Sequence, residues 1–288
     1  MTSRHDRFLL GVERLASARS FLFVPGNRPD RFGKAVASGA DVVILDLEDA
    51  VDPDAKAAAR RGVRAHLHHG PPVVVRINGL DSPWSRDDVD AIGGLPGLLG
   101  VMVPKAEDPE QVRRVAAATA RPVVPLVETA VGIERLADLV TAPGIPRLAF
   151  GSVDLALDLG AQESWEALIY ARSRLVVVSR SVGLAAPVDG VTVELRDDGV
   201  LTAATRRARA LGFGAKLCIH PRQVPVVHAA FAPDGDELEW AREVLRADVA
   251  GGAVAVRGQM VDRPVLERAR RIVMSLGRDA RETPADME

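Results

Sequence analysis

Apolar residues along this chain gather into short, nearly continuous runs rich in Val, Ile and Leu, and eight such runs recur before residue 221. They are SFLFVP (20–25), DVVILDLE (41–48), PVVVRI (72–77), GVMVPK (100–105), PVVPLVE (122–128), RLAFG (147–151), LAAPVDG (184–190) and AKLCIH (215–220). Continuous rather than alternating apolar character is the pattern of strands buried on both faces. Between the runs the spacing turns helical, over 29–37, 53–67, 85–92, 109–118, 132–140, 164–182 and 201–211. Several of these segments carry Asp, Ser or Pro near the first turn, as helix starts do.

Strict alternation of strand and helix implies parallel strands joined by right-handed crossovers. Eight units predict a closed (β/α)8 TIM barrel. An open nucleotide-binding sheet would show a glycine-rich turn after its first strand, whereas this turn reads PGNRPD with one glycine. After residue 220 the character changes. Helical stretches at 223–230 and 237–247 precede GGAVAVRGQMVDRP, which reads as a hairpin-like flap, and a last helical stretch runs to 272. The expected organisation is an N-terminal extension (1–19), the barrel (20–232), and C-terminal helices with an active-site flap (233–288).

Composition adds limits. The chain has 288 residues, 47% hydrophobic and 26% charged, with a formal net charge of −2. No overall field draws it to nucleic acid or to a membrane, so anionic ligands need local partners. Cys218 is the only cysteine, which excludes an intrachain disulfide and fits a reducing cytoplasm. Phe8, Leu9 and Leu10 make an apolar start too short for a secretion signal, and no long apolar run suggests a span.

Candidate chemistry follows from the barrel, whose active site is built at the C-terminal ends of the strands. There the sequence places Asn27 and Arg28, Glu48 and Asp49, Arg76 and Asn78, Lys105 and Glu107, Glu128, Asp154, Asp189 and His220, in strand order. Carboxylates with Arg and Lys, and no Cys or His pair at metal spacing, point to a hard cation rather than zinc. Magnesium needs only one or two carboxylates, and Glu128 and Asp154 at the ends of adjacent strands meet that need.

Each of these residues also has a structural reading. Glu128 fits the positive end of a following helix, and Asp154 fits an N-cap. Arg76 fits a buried partner of Glu48 or Glu128, a role compatible with substrate binding because Arg offers five donors. His220 reads as a capping histidine. His66, His68 and His69 read as solvated groups at a helix end, where positive charge suits the dipole. Asp262, before Pro264, reads as a helix initiator, or as an acid or base carried on the flap.

The motifs LFVPGNRPDRFGKA, VVILDLEDAVDPDAKAAAR, VVVRING, VPKAE, PLVETAVG, FGSVDLALDLG, YARSRLVVVSRSVGLAAPVDGV, LGFGAKLCIHPRQV and RGQMVDRP stand in one order over about residues 20–275. Together they resemble the citrate lyase β-subunit-like family of the HpcH/HpaI aldolase superfamily, which includes malyl-CoA and citramalyl-CoA lyases. The resemblance implies a magnesium-dependent carbon–carbon lyase. Such an enzyme cleaves a β-hydroxyacyl-CoA into an α-keto acid and acetyl-CoA by a retro-Claisen reaction. It implies Glu128 and Asp154 as metal ligands and Arg76 as the contact to thioester or keto-acid oxygens. Asp262 would be the acid/base, delivered from a neighbouring subunit of a homotrimer or hexamer. Glu48 and Asp49 are assigned to orienting Arg76 and metal-bound waters.

Three positions depart from the family. Val153 stands where an acid often precedes the metal-binding Asp, and Val131 where Arg or Lys is commoner in the ETA motif. Phe23 occupies a substrate-contacting position where several members carry Tyr, and brings no hydroxyl. Two other readings remain beside the CoA-thioester lyase. One is the β subunit of a citrate lyase acting on a carrier-bound citryl thioester, with Arg28, Arg31 and Lys34 facing either the carrier or CoA phosphates. The other is an aldolase-like barrel that binds keto acid and metal without thioester chemistry.

Overall fold

The computed structural model describes residues 3–250 and 255–279. Eight parallel strands close into a barrel: β1 (Ser20–Pro25), β2 (Val42–Asp46), β3 (Val73–Arg76), β4 (Leu98–Val103), β5 (Val123–Val127), β6 (Ala149–Phe150), β7 (Val188–Asp189) and β8 (Ala215–Cys218). Closure is made by β1 against β8, with Ser20 opposite Lys216 and Leu22 opposite Cys218. Each strand lies within the run expected for it except β4, which begins two residues earlier, at Leu98.

Side-chain alternation sorts the strand residues into two layers. Phe21, Val42, Ile44, Val74, Met102, Val124, Leu126, Ala149, Val188, Ala215 and Leu217 form one buried cluster that fills the barrel. Continuing the same period towards the C-terminal ends brings Phe23, Asp46, Arg76 and Glu128 onto the inward face. The intervening residues, such as Val43, Leu45 and Val75, are equally buried against the surrounding helices. The apolar filling thus gives way to charge only at the mouth.

The opposite end is closed by a helix the sequence reading missed, Arg4–Ser17. Ser3 and Asp6 form a reciprocal capping box at its start, and Leu15 enters the barrel cluster. The fully buried Arg147 holds this closure, donating to the carbonyls of Leu15 and Ala18 and to that of Ala186 before β7. With no carboxylate in contact, burial pushes its pKa down to about 9. Other boundaries shifted locally. The expected helix at 132–140 is broken into Ala130–Glu134 and Leu136–Leu139, and that at 164–182 starts only at Ile169. His66 is half-buried rather than fully solvated: its ring meets Phe32 edge-on and bonds the Pro71 carbonyl.

Contacts divide the chain into two compact units, Met1–His228 and Ala229–Glu288. In the second, helices Gly235–Ala250 and Arg263–Asp279 pack around Ala241, Val244, Ala269 and Ile272. The expected flap is present as a short hairpin, β9 (Ala255–Val256) and β10 (Gln259–Met260), turning through Arg257 and Gly258 at φ 48° and 79°. Arg257 fixes the hairpin to its helix through Glu243 and Glu239. Residues 251–254 of the expected flap lie outside the described residues.

Candidate active site

The mouth of the barrel is organised around Arg76. Its guanidinium grips Asp46 with two hydrogen bonds, Nε to Oδ1 and Nη2 to Oδ2, both 2.7 Å. Nη1 faces Glu48 Oε2 at 2.8 Å and Asp49 Oδ2 at 3.4 Å. The Glu48 contact is an ion pair off the line of a hydrogen bond, since Oε2 has no bond of proper geometry. One face of the guanidinium lies 4.8 Å from the centre of the Phe23 ring. Burial acts to lower the Arg76 pKa, but Asp46, Glu48 and Asp49 outweigh it and raise it.

Asp46 is the member to which the sequence assigned no role. Its register partner across the sheet is Arg76 itself, so the pair is fixed by strand geometry. Asp46 also accepts from the backbone N–H groups of Glu48 and Ala50, shaping the loop that presents Glu48. Beneath that loop Lys56 is buried, donating to the carbonyls of Leu47 and Glu48 at 2.8 and 2.7 Å with Trp84 over its ammonium. A Lys ten residues after the strand gave no signal, because a helical Lys is usually solvated.

Beside this group stands Glu128, 2% exposed, whose Oε1 accepts from the Lys105 N–H. Lys105 also sends its ammonium to Glu48 Oε1 at 2.9 Å. Burial, then the charges of Glu48 and Asp154, push the Glu128 carboxyl up to about 8. Gly151 makes room for it, since a Cβ there would run into the Glu128 side chain. Glu128 is followed by Thr129, which caps the helix Ala130–Glu134 in its place. Asp154 sits in the first turn of the helix Ser152–Asp158 and is not its N-cap, a position held by Gly151. Both carboxylates are thus free of capping duty.

These residues fit a divalent metal. Asp46, Glu48, Asp49, Glu128 and Asp154 bring five negative charges, while Arg76, Lys105 and Lys56 bring three positive ones. With every group ionised, the two uncompensated charges equal those of one magnesium ion, which would relieve the part of the Glu128 rise that comes from Glu48 and Asp154. Among the described residues no group of three or more His, Cys, Asp or Glu is placed to hold a metal. A site of two carboxylates completed by water and substrate is the arrangement magnesium tolerates.

One expected member stands apart from the mouth. Asp189 neighbours the inward-facing Val188, so alternation turns it outward, where it meets Lys216 at 3.0 Å and Arg172 at 3.0 Å. That buried trio joins β7 and β8 to the helix Ile169–Ser181 and corrects the placement of Asp189 in the mouth. His220 accepts at Nδ1 from the Arg222 N–H, a turn-capping role as expected. Asp262 belongs to the second unit, is exposed, and accepts from the Val265 N–H at the start of its own helix.

A cleft of about 570 Å³ runs outward from the mouth, lined by Phe23, Arg28, Arg31, Lys34, Ile219 and His220 among others. Arg28 is clamped to Asp30, while Arg31 and Lys34 have no ion pair among the described residues. No helix among the described residues is long and apolar enough to cross a membrane.

Residues 19–221 match the pattern of the HpcH/HpaI aldolase/citrate lyase family. A citrate lyase subunit beta-like protein of Deinococcus radiodurans is 38% identical over 279 residues, covering 90% of this chain and 97% of its own. The mitochondrial citramalyl-CoA lyase of Homo sapiens is 31% identical over 289 residues, covering 88% and 84%. Among solved structures, the CitE protein of Mycobacterium tuberculosis in complex with magnesium, acetoacetate and coenzyme A superposes with a TM-score of 0.82. It is 37% identical, with 91% of this chain and 99% of that one covered.

Proposed function

The chain belongs to the HpcH/HpaI aldolase/citrate lyase family and is a lyase of that type, and from that premise we propose that it is a magnesium-dependent CoA-thioester lyase. Its substrate would be a β-hydroxyacyl-CoA of the malyl-CoA or citramalyl-CoA kind, split into an α-keto acid and acetyl-CoA. The observation that carries this reading is the convergence at one mouth of a carboxylate-clamped Arg76 with the buried Glu128 and its neighbour Asp154. Magnesium and coenzyme A together in the CitE complex support it.

Glu128 and Asp154 would hold the magnesium. When bound, the metal supplies a Lewis acid and template for the carboxylate and α-oxygen of the keto-acid half. The protein's own work is to position and to move protons. Three of the five N–H groups of Arg76 donate to Asp46 and Asp49, one on Nη1 lies against Glu48 without a hydrogen bond, and one on Nη2 remains for a substrate oxygen. As the carbon–carbon bond breaks, its electron pair passes into the acetyl thioester as an enolate, and the departing hydroxyl carbon becomes the keto carbonyl. Arg76 is a fixed donor for the oxygen that gains charge. Asp262 then gives a proton to the enolate carbon, and the hydroxyl proton passes to solvent, so one proton is delivered and one released per cleavage. Glu48 and Asp49 hold Arg76 and orient metal-bound waters.

Phe23 packs the substrate end of the cleft, where its ring replaces a hydroxyl contact. Arg31 and Lys34, unpaired among the described residues, are placed for the phosphates of CoA. Asp262 is assigned to the mouth of a neighbouring copy in a homotrimer or hexamer, and a cytoplasmic location belongs to the same reading. So does the division into extension, barrel and flap at residues 19 and 232. The test is a coupled assay of keto-acid release from malyl-CoA, citramalyl-CoA and citryl-CoA, with magnesium and with chelator. Chelator-sensitive cleavage of one thioester bears the reading out. No cleavage of any by folded protein overturns it.

A further inference from the structure

Lys105, two residues past the end of β4, has a left-handed backbone conformation, at φ 47°, which side-chain-bearing residues rarely adopt. Such a conformation persists where surrounding contacts over-determine it, and it is concentrated at functional sites. Here the contacts are two, and both are in the mouth. The backbone N–H of Lys105 donates to Glu128 Oε1 at 2.9 Å, and its ammonium donates to Glu48 Oε1 at 2.9 Å. One residue therefore touches both the carboxylate assigned to the metal and the carboxylate that faces Arg76.

The two mouth cations differ in how much of their charge is left for a ligand. Arg76 has a side chain only 10% exposed and is set against the three carboxylates of Asp46, Glu48 and Asp49. Lys105 is 46% exposed, has one carboxylate contact, and keeps two of the three N–H groups of an ammonium. A donor that is already answered by several carboxylates adds little charge to a reacting oxygen, whereas a donor with one partner adds more. The strained backbone fixes where this second donor stands. Glu48, which touches both cations, sets their separation.

Resting on the lyase reading above, we propose that Lys105 is a second catalytic cation of the reaction. Its ammonium contacts the thioester oxygen on which negative charge builds as the carbon–carbon bond breaks. Arg76 and Lys105 together then form a two-donor site for that oxygen, with Lys105 carrying the larger share of uncompensated charge. Glu48 is a positioning residue, holding both donors without touching the substrate.

The experiment is steady-state kinetics of Lys105→Met and Lys105→Arg on whichever thioester the wild-type enzyme cleaves, with magnesium affinity measured by calorimetry on the same proteins. Loss of an oxyanion donor lowers kcat by about 10²–10³-fold. Lys105→Met should show that fall with KM and magnesium affinity little changed, and Lys105→Arg should restore part of it. Lys105→Cys gives a second route. Its thiol can be aminoethylated with 2-bromoethylamine to rebuild an ammonium, since the other cysteine, Cys218, is fully buried. Recovery of kcat after aminoethylation, and none after carbamidomethylation, supports the proposal even if Lys105→Met folds poorly. Wild-type-like kcat in Lys105→Met overturns it. Loss of magnesium binding in step with activity also overturns it, by reducing Lys105 to a support for Glu128. A wild-type enzyme inactive on every thioester overturns the lyase reading first and this one with it.

Discussion

Asp46 and Arg76 face each other in the parallel register of β2 and β3, and close on one another through two hydrogen bonds of 2.7 Å. A cross-strand pair on the inward face of a barrel is held by the backbone on both sides, so the guanidinium has little freedom to turn. Asp46→Asn keeps the shape but removes the charge that answers Arg76. Breaking a buried pair from one side costs about 3–5 kcal/mol, because the remaining charge is left uncompensated. Here Glu48 and Asp49 still face Arg76, so the expected loss is at the lower end of that range. Thermal unfolding should show it, together with a kcat reduced by about tenfold or more. An unchanged melting curve would mean that the pair is incidental.

Magnesium binding should depend on Asp154 without the fold doing so. Asp154 neither caps its helix nor appears in an ion pair among the described residues. Asp154→Ala should therefore melt within about 0.5 kcal/mol of wild type when both are measured in chelator. Its calorimetric magnesium signal should vanish, and turnover with it. Full activity of wild-type protein in chelator would remove the metal from the site.

Gly151 is a steric prediction. Its φ of −98° is open to any residue, so the constraint is space alone. A methyl group there meets the Glu128 side chain, and overpacking of this kind costs about 1–3 kcal/mol. Gly151→Ala should lose stability and weaken magnesium binding together, because Glu128 is what must move. If stability falls while magnesium affinity holds, Glu128 has room to yield without leaving the metal.

Much of this was legible in the sequence, and the reasons differ from residue to residue. The eight strands stand out because burial on both faces makes each run continuously apolar, and Arg76, Glu128 and Asp154 follow from strand ends. Asp46 received no role of its own, since nothing local distinguishes an acid that faces inward from one in the following loop. Asp189 was misplaced for the same reason, as a two-residue strand gives too few positions to fix its phase. Lys105 was placed at the mouth but given no role, because its left-handed backbone leaves no mark in residue type. The helix Arg4–Ser17 was not legible although Ser3 and Asp6 carry its capping box, because the contiguous apolar triplet inside it masks the helical period.

Acid sensitivity should centre on the outward trio of Asp189, Lys216 and Arg172. Burial alone would raise the Asp189 pKa, but the charges of Lys216 and Arg172 outweigh it and hold the carboxyl below its usual range. A depressed folded pKa contributes stability that is present above the unfolded value of about 3.9, and is lost as pH falls through the folded value. Stability should therefore decline on acidification below about pH 4. Asp189→Asn should be less stable than wild type near neutrality and show a shallower decline over that acid range. Denaturant unfolding at several pH values checks this; parallel curves for the two proteins would place the acid-labile group elsewhere.

Asp262 offers the sharpest separation of a structural role from a chemical one. Its carboxylate accepts from the Val265 N–H and starts the helix Arg263–Asp279. Asn is as good an N-cap as Asp, so Asp262→Asn should keep the helix and the melting temperature while removing the proton donor. Asp262→Ala should lose about 1 kcal/mol in addition. Both should be inactive if the carboxyl supplies the proton to the enolate carbon, and Asp262→Asn inactivity cannot then be assigned to the cap. Assembly follows from the same variant. Asp262→Asn and Arg76→Ala proteins, each inactive alone, should regain activity when mixed under subunit-exchange conditions, because some mouths then combine an intact Arg76 with an intact Asp262 from a neighbour. Exchange itself can be followed by mass on differently tagged chains. Exchange with no recovered activity would place Asp262 at the mouth of its own chain.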